Sequence, residues 1–156
     1  VAPFAFIYDV AFFCHWNGKM FSQLLGSLSG VLPFIAYFLL AMGLLAIFVR
    51  LYTWLTPHHE FALIRAGNPA AATAFGGALI GFALPLSSAI SHSLSLIDCA
   101  IWGAIALLVQ VAAFRVMRLW LTDLSERISR GEMACAILLA STALSVGLLN
   151  AACMTY

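Results

Sequence analysis

Four long stretches without a single Asp, Glu, Lys or Arg constrain this chain more than any other feature: 31–49, 69–90, 99–114 and 133–156. A helix needs about 20 apolar residues to cross a bilayer's hydrocarbon core. The third stretch is short, so Arg115 and Arg118 are expected to lie near the interface and snorkel, with the helix continuing to about Leu121. Composition removes the soluble alternative. Of 156 residues, 64% are hydrophobic and 8% charged, whereas a soluble domain carries about 25% charged residues. Buried in a water-soluble globule, these helices would leave almost nothing to cover it. The sequence therefore predicts an all-α, polytopic membrane protein with four transmembrane helices and the lipid bilayer as its first partner.

The few charges carry orientation. Arg50 and Arg65 flank the first connection, and Arg115, Arg118, Arg127 and Arg130 flank the third, while the second, around Ser91–Ile97, has no Lys or Arg. Cytoplasmic connections accumulate Lys and Arg. The first and third connections are thus expected in the cytoplasm, and both termini in the periplasm. Tyr52, Trp54 and Trp120 then mark the inner interface, Tyr37 and Trp102 the outer one; Lys19 dissents. The net charge is +1, with no basic run, so nucleic acid is not an expected partner. Residues 1–30 read as an interfacial N-terminal extension. The part before Met20 lacks the charge-first, small-residue-last order of a secretory signal, and Met20 is the expected natural start.

Shifted by 64 residues, the chain partly overlays itself. Ile64-Arg65-Ala66-Gly67-Asn68 meets Ile128-Ser129-Arg130-Gly131-Glu132, and Gly77 and Gly81 meet Ser141 and Ser145. With a two-residue slip, Trp54-Leu55-Thr56 meets Trp120-Leu121-Thr122 and Glu60 meets Glu126. The expectation is two parallel helical-hairpin repeats, 31–92 and 93–156, in the same orientation because each has an even number of crossings. Asn68 before Pro69 reads as an N-cap followed by Pro at the first helical position. Glu132 places an anion at the corresponding helix start.

Gly77 and Gly81 on the second helix, and Ala143, Gly147 and Ala151 on the fourth, recur every four residues. In lipid such small-residue stripes let backbones approach and van der Waals contact hold them, so these two helices are expected to pack closely. Pro85 inside the second helix removes the donor to the Gly81 carbonyl and predicts a kink.

Polar side chains are sparse. His92, Asp98 and Asn150 fall near one membrane face, and Gln110 lies deep in the third helix. Their plain reading is structural: Asp98 as a helix cap, Gln110 as an interhelical hydrogen bond. Their sharper reading is a proton- or ion-handling site, with His92 and Asp98 as a titrating pair. Cys14, Cys99, Cys135 and Cys153 show no CxxC spacing, and His58-His59-Glu60 is too small a set to hold a metal. No nucleophile motif, phosphate loop or HExxH occurs, so neither an enzyme nor a cofactor is expected.

The strings Leu55-Thr56-Pro57-His58-His59-Glu60, Leu63-Ile64-Arg65-Ala66-Gly67-Asn68, Gly76-Gly77-Ala78-Leu79-Ile80-Gly81-Phe82-Ala83-Leu84-Pro85-Leu86 and the terminal Asn150-Ala151-Ala152-Cys153-Met154-Thr155-Tyr156 together closely resemble the bacterial inner-membrane family called domain of unknown function 350, from about Phe21 onward. The resemblance implies a plasma-membrane protein with two copies of the family's domain. It implies no reaction. The functional expectation is a membrane-embedded scaffold or interaction subunit of an envelope assembly, as a homo-oligomer or with other membrane proteins. The alternative is a small-solute or ion transporter or channel around Pro85, Gln110, His92, Asp98 and Asn150.

Overall fold

The computed structural model describes residues 26–56, 60–121 and 123–155. The expected extension before Met20, and His58 and His59, lie outside the described residues. Two compact units meet in the chain at Phe38 and Leu39. In the first, Phe34 and Phe38 stack with ring centroids 5.9 Å apart. The second, from Leu39 onward, holds the helix bundle.

Among the described residues from Val31 onward, six helices succeed one another: α1 (Val31–Leu55), α2 (Glu60–Arg65), α3 (Pro69–His92), α4 (Leu96–Trp120), α5 (Leu124–Ser129) and α6 (Met133–Cys153). Four of the described helices, those carrying the uncharged stretches, are long and apolar enough to cross a membrane. As expected, α4 runs past Arg115 and Arg118 and stops at Trp120, with Leu121 as its C-cap. The short α2 and α5 occupy the connections.

The joints explain why the chain turns where it does. Before α3, Gly67 adopts φ +81°, and before α6, Gly131 adopts φ +87°. Both close the preceding helix with the same pair of bonds: Gly67 N–H to Ile64 O and Asn68 N–H to Leu63 O, then Gly131 N–H to Ile128 O and Glu132 N–H to Arg127 O. Only glycine adopts this left-handed conformation without steric cost. Asn68 then caps α3, its Oδ1 accepting from the N–H groups of Ala70 and Ala71 at 3.0 and 3.1 Å. Its Nδ2 donates to the carbonyls of Ile128 and Ser129 at 3.1 and 3.0 Å, so one side chain starts α3 and ties the two connections together.

The α3–α6 pair is the most extensive helix contact, and the small-residue stripes make it. A Cβ built on Gly77 would lie 2.6 Å from Ala140 Cα, and one on Gly81 would lie 2.7 Å from the Ala143 carbonyl carbon. Both are backbone atoms that have no room to yield. At Gly147 the built Cβ would overlap the Gly81 carbonyl oxygen. That oxygen is the acceptor left without its helical donor by Pro85, which is itself fully buried within α3. The orphaned carbonyl therefore faces the bare Cα of Gly147.

From Leu39 onward, α1 joins the bundle through large side chains instead. Phe48 stacks on Phe82 at 4.7 Å, and Tyr52 meets Phe114 at 5.0 Å and Phe75 at 5.7 Å. Leu44 fills the space over Gly103 on α4, 2.5 Å from where a Cβ there would stand. The opposite face of α1 leaves Leu39, Met42 and Ile47 exposed, as a helix bordered by lipid tails requires.

Candidate functional site

Because α3 and α6 start at the connections and run the same way, polar side chains gather at two levels. At the α3–α4 turn, Ser95 caps α4: its Oγ accepts from Asp98 N–H at 3.2 Å, while Asp98 Oδ2 accepts from Leu94 N–H at 3.1 Å. This is a variant of the capping box, in which the carboxylate reaches one residue further back, to the amide before the N-cap. His92 is exposed and turns back on its own helix, its Nδ1 2.9 Å from the Ser88 carbonyl oxygen and 3.5 Å from Ser88 Oγ. The bonds that His92 and Asp98 make are thus local, each satisfied by its own end of a helix, and neither side chain is spent on the other. Ser88 Oγ donates to the Ala151 carbonyl at 3.0 Å and links α3 to α6 here. Asn150 lies close to this level with its Nδ2 buried and without a hydrogen-bond partner.

Deeper, Gln110 reaches from α4 into the α3–α6 seam. Its Nε2 donates to the Ala143 carbonyl at 3.2 Å and stands 2.8 Å from where a Cβ on Gly81 would be. Only a glycine there leaves space for the amide. Gln110 is 3% exposed, and its Oε1 has no hydrogen-bond partner. It borders a cavity of about 20 Å³ together with Phe48, Tyr52, Phe114, Leu139 and Ala143. That is room for about one water molecule.

Glu60, which the sequence offers only as part of a set too small to hold a metal, is buried in the structure. It opens α2, outside the membrane-crossing helices, yet is only 3% exposed. Burial pushes its carboxyl from the usual 4.5 to about 7, opposed in part by the neighbouring Tyr52 side chain. Tyr52, 2% exposed, also borders the Gln110 cavity. Glu60 thus lies beside Tyr52, which in turn shares the cavity with Gln110. Glu126, its counterpart in the shifted alignment, is exposed and pairs with Arg130, so the two acids have opposite environments. A signal for Glu60 was present: an acid directly preceding the apolar run Phe61-Ala62-Leu63-Ile64.

Glu132 occupies the N-cap of α6, but its side chain makes no capping bond. Instead Oε2 accepts from Arg127 Nε at 2.7 Å. The shorter Asn68 side chain reaches its own helix's N–H groups; the longer Glu132 finds a full charge within reach and takes that. Cys99 and Cys135 are buried, Cys153 is exposed, and all three are free thiols.

Residues 25–154 match the family model Domain of Unknown Function (DUF350). The chain is similar to the UPF0719 inner membrane protein YjfL of Escherichia coli strain K12, 41% identical over 129 residues, which is 83% of this chain and 98% of that protein. The YjfL protein of E. coli O157:H7 matches to the same extent, 41% over 129 residues. No solved structure matches the chain.

Proposed function

The chain belongs to the DUF350 family, and from that premise we propose that it is a multi-pass inner-membrane protein working as a membrane-embedded scaffold or interaction subunit of an envelope assembly, without enzymatic activity. The observation that carries the proposal is how the interior is filled. Glycine-to-backbone contacts close the α3–α6 seam, and the cavity beside Gln110 admits about one water. Three of the four polar residues that would serve a conduit hold helix ends or the seam: Asp98 by capping, His92 on its own helix, Gln110 on Ala143. What is left for function is lateral: apolar helix faces that meet lipid, sister copies or other membrane proteins.

The name of the E. coli relative places that protein in the inner membrane, and the same location is proposed here. The arginines around the α1–α3 and α4–α6 connections support a cytoplasmic position for those connections, with both termini periplasmic. The matched lengths of α1 and α4, 25 residues each, and of α2 and α5, six each, support duplication of one hairpin unit.

Transport is the second reading, favoured by one observation: Gln110 Oε1 and Asn150 Nδ2 are buried without partners, as groups that await a passing solute would be. Flux measurement in proteoliposomes separates the two. Scaffold action predicts proton, potassium and small-solute leaks equal to those of empty vesicles. A leak abolished by Gln110→Ala would establish the conduit instead.

A further inference from the structure

A groove of about 380 Å³ opens where the last turns of α1 and α4 lie side by side, lined by Trp54, Leu55, Arg115, Arg118 and Leu119. Arg115 and Arg118 are three residues apart on one helix, so they share a face. Arg118 is held in place by donating through Nη1 to the carbonyl of Leu55, at the end of α1. That bond uses one of its five N–H donors. Arg115 is exposed. In the α4–α6 connection Glu126 pairs with Arg130 and Glu132 with Arg127, and Glu60 of the α1–α3 connection is buried. Among the described residues, no ion pair involves Arg115 or Arg118. Arg118, anchored on Leu55, and the exposed Arg115 thus bring two guanidinium groups to the groove, with no carboxylate of the described residues paired to either. Beside them Trp54 and Leu119, each 77% exposed, offer apolar surface at the same level.

We propose that this groove binds an anionic phospholipid, its phosphate held by Arg115 and Arg118 and its acyl chains lying along Trp54 and Leu119. Guanidinium matches phosphate through paired N–H donors. An arginine pair at the membrane interface meets a phosphate already fixed there, and basic pockets between transmembrane helices suit anionic headgroups. The apolar flank selects a lipid over a free anion. The exposed indole of Trp54 is placed as interfacial tryptophans are.

The test is native mass spectrometry of the purified full chain in mild detergent, titrated with either phosphatidylglycerol or phosphatidylcholine. The expected result is at least a fivefold preference for phosphatidylglycerol. Arg115→Gln should reduce that preference, and the Arg115→Gln/Arg118→Gln pair should abolish it. Arg130→Gln, which removes an equal charge from the Glu126 pair, should leave it intact. Among the described residues Arg115 has no hydrogen-bond or ion-pair partner, so its single variant is informative even if loss of the Arg118–Leu55 bond weakens the fold. Equal retention of both lipids would overturn the proposal, as would unchanged preference in Arg115→Gln. Displacement of phosphatidylglycerol by millimolar inorganic phosphate would also overturn it, by identifying a soluble anion as the ligand.

Discussion

Replacing Glu60 by Gln should remove a pH dependence of stability that the wild-type protein carries between about pH 4.5 and 7. The carboxyl is raised by burial from its usual 4.5 to about 7, so the folded state holds its proton more tightly than the unfolded chain does. Below pH 4.5 both states are protonated and burial of the neutral acid carries no ionic penalty. As pH rises toward 7, the unfolded chain ionises while the folded one does not, and stability falls. Each pKa unit corresponds to about 1.4 kcal/mol, giving about 3 kcal/mol across the window. For a chain of this length that is about 6–12 °C in Tm. Gln keeps the shape and a hydrogen-bonding head toward Tyr52 but cannot ionise. Thermal unfolding followed by tryptophan fluorescence in detergent, at pH 5, 6, 7 and 8, supplies both curves. Histidines titrate in the same range, so the quantity to read is the difference between wild type and variant. That difference should grow with pH up to about 7 and then level off, with Glu60→Gln the more stable at pH 8. Parallel curves would refute the reasoning, because they would mean that Glu60 is solvated in the folded state.

The packing sets three further outcomes. Gly147→Ala drives a methyl into the Gly81 carbonyl and should cost about 1–3 kcal/mol in thermal unfolding; Gly76→Ala on α3, with nothing within 4 Å of its Cβ, should be neutral or gain up to ~1 kcal/mol from helix propensity. Asn68→Ala removes the α3 cap and both bonds to the third connection, and should cost about 2 kcal/mol or more by the same assay. Gln110→Met, which fills similar volume without an unpaired Oε1, should fall within about 1 kcal/mol of wild type, whereas Gln110→Ala should cost more by enlarging the cavity.

Most of the fold could be read from local signals. Uncharged run lengths place the four long helices, Asn68-Pro69 and the two turn glycines mark their starts, and the stripe from Gly77 to Gly81 against Ala143 and Gly147 finds the tightest interface. Each signal works because its cause is local, a capping side chain, a positive φ or a missing Cβ. Gln110 was also legible, since a lone amide in an apolar helix must find a carbonyl. The site was less so. His92, Asp98 and Asn150 share a membrane level by residue counting, but counting does not give the azimuth of a side chain around its helix. His92 and Asp98 instead serve their own helix ends. The environment of Glu60 was not legible because its burial comes from tertiary packing beside the Tyr52 side chain, not from its own sequence pattern. Glu132 differed from its capping role because Arg127, five residues upstream and across a turn, lay within reach.

The scaffold account is tested most directly by the intact mass of the assembly released from native membranes in mild detergent. The account predicts a defined stoichiometric complex, either several copies of this chain or this chain with other envelope membrane proteins. A monomer carrying only lipid, recovered at native abundance under conditions that preserve other inner-membrane complexes, would contradict it.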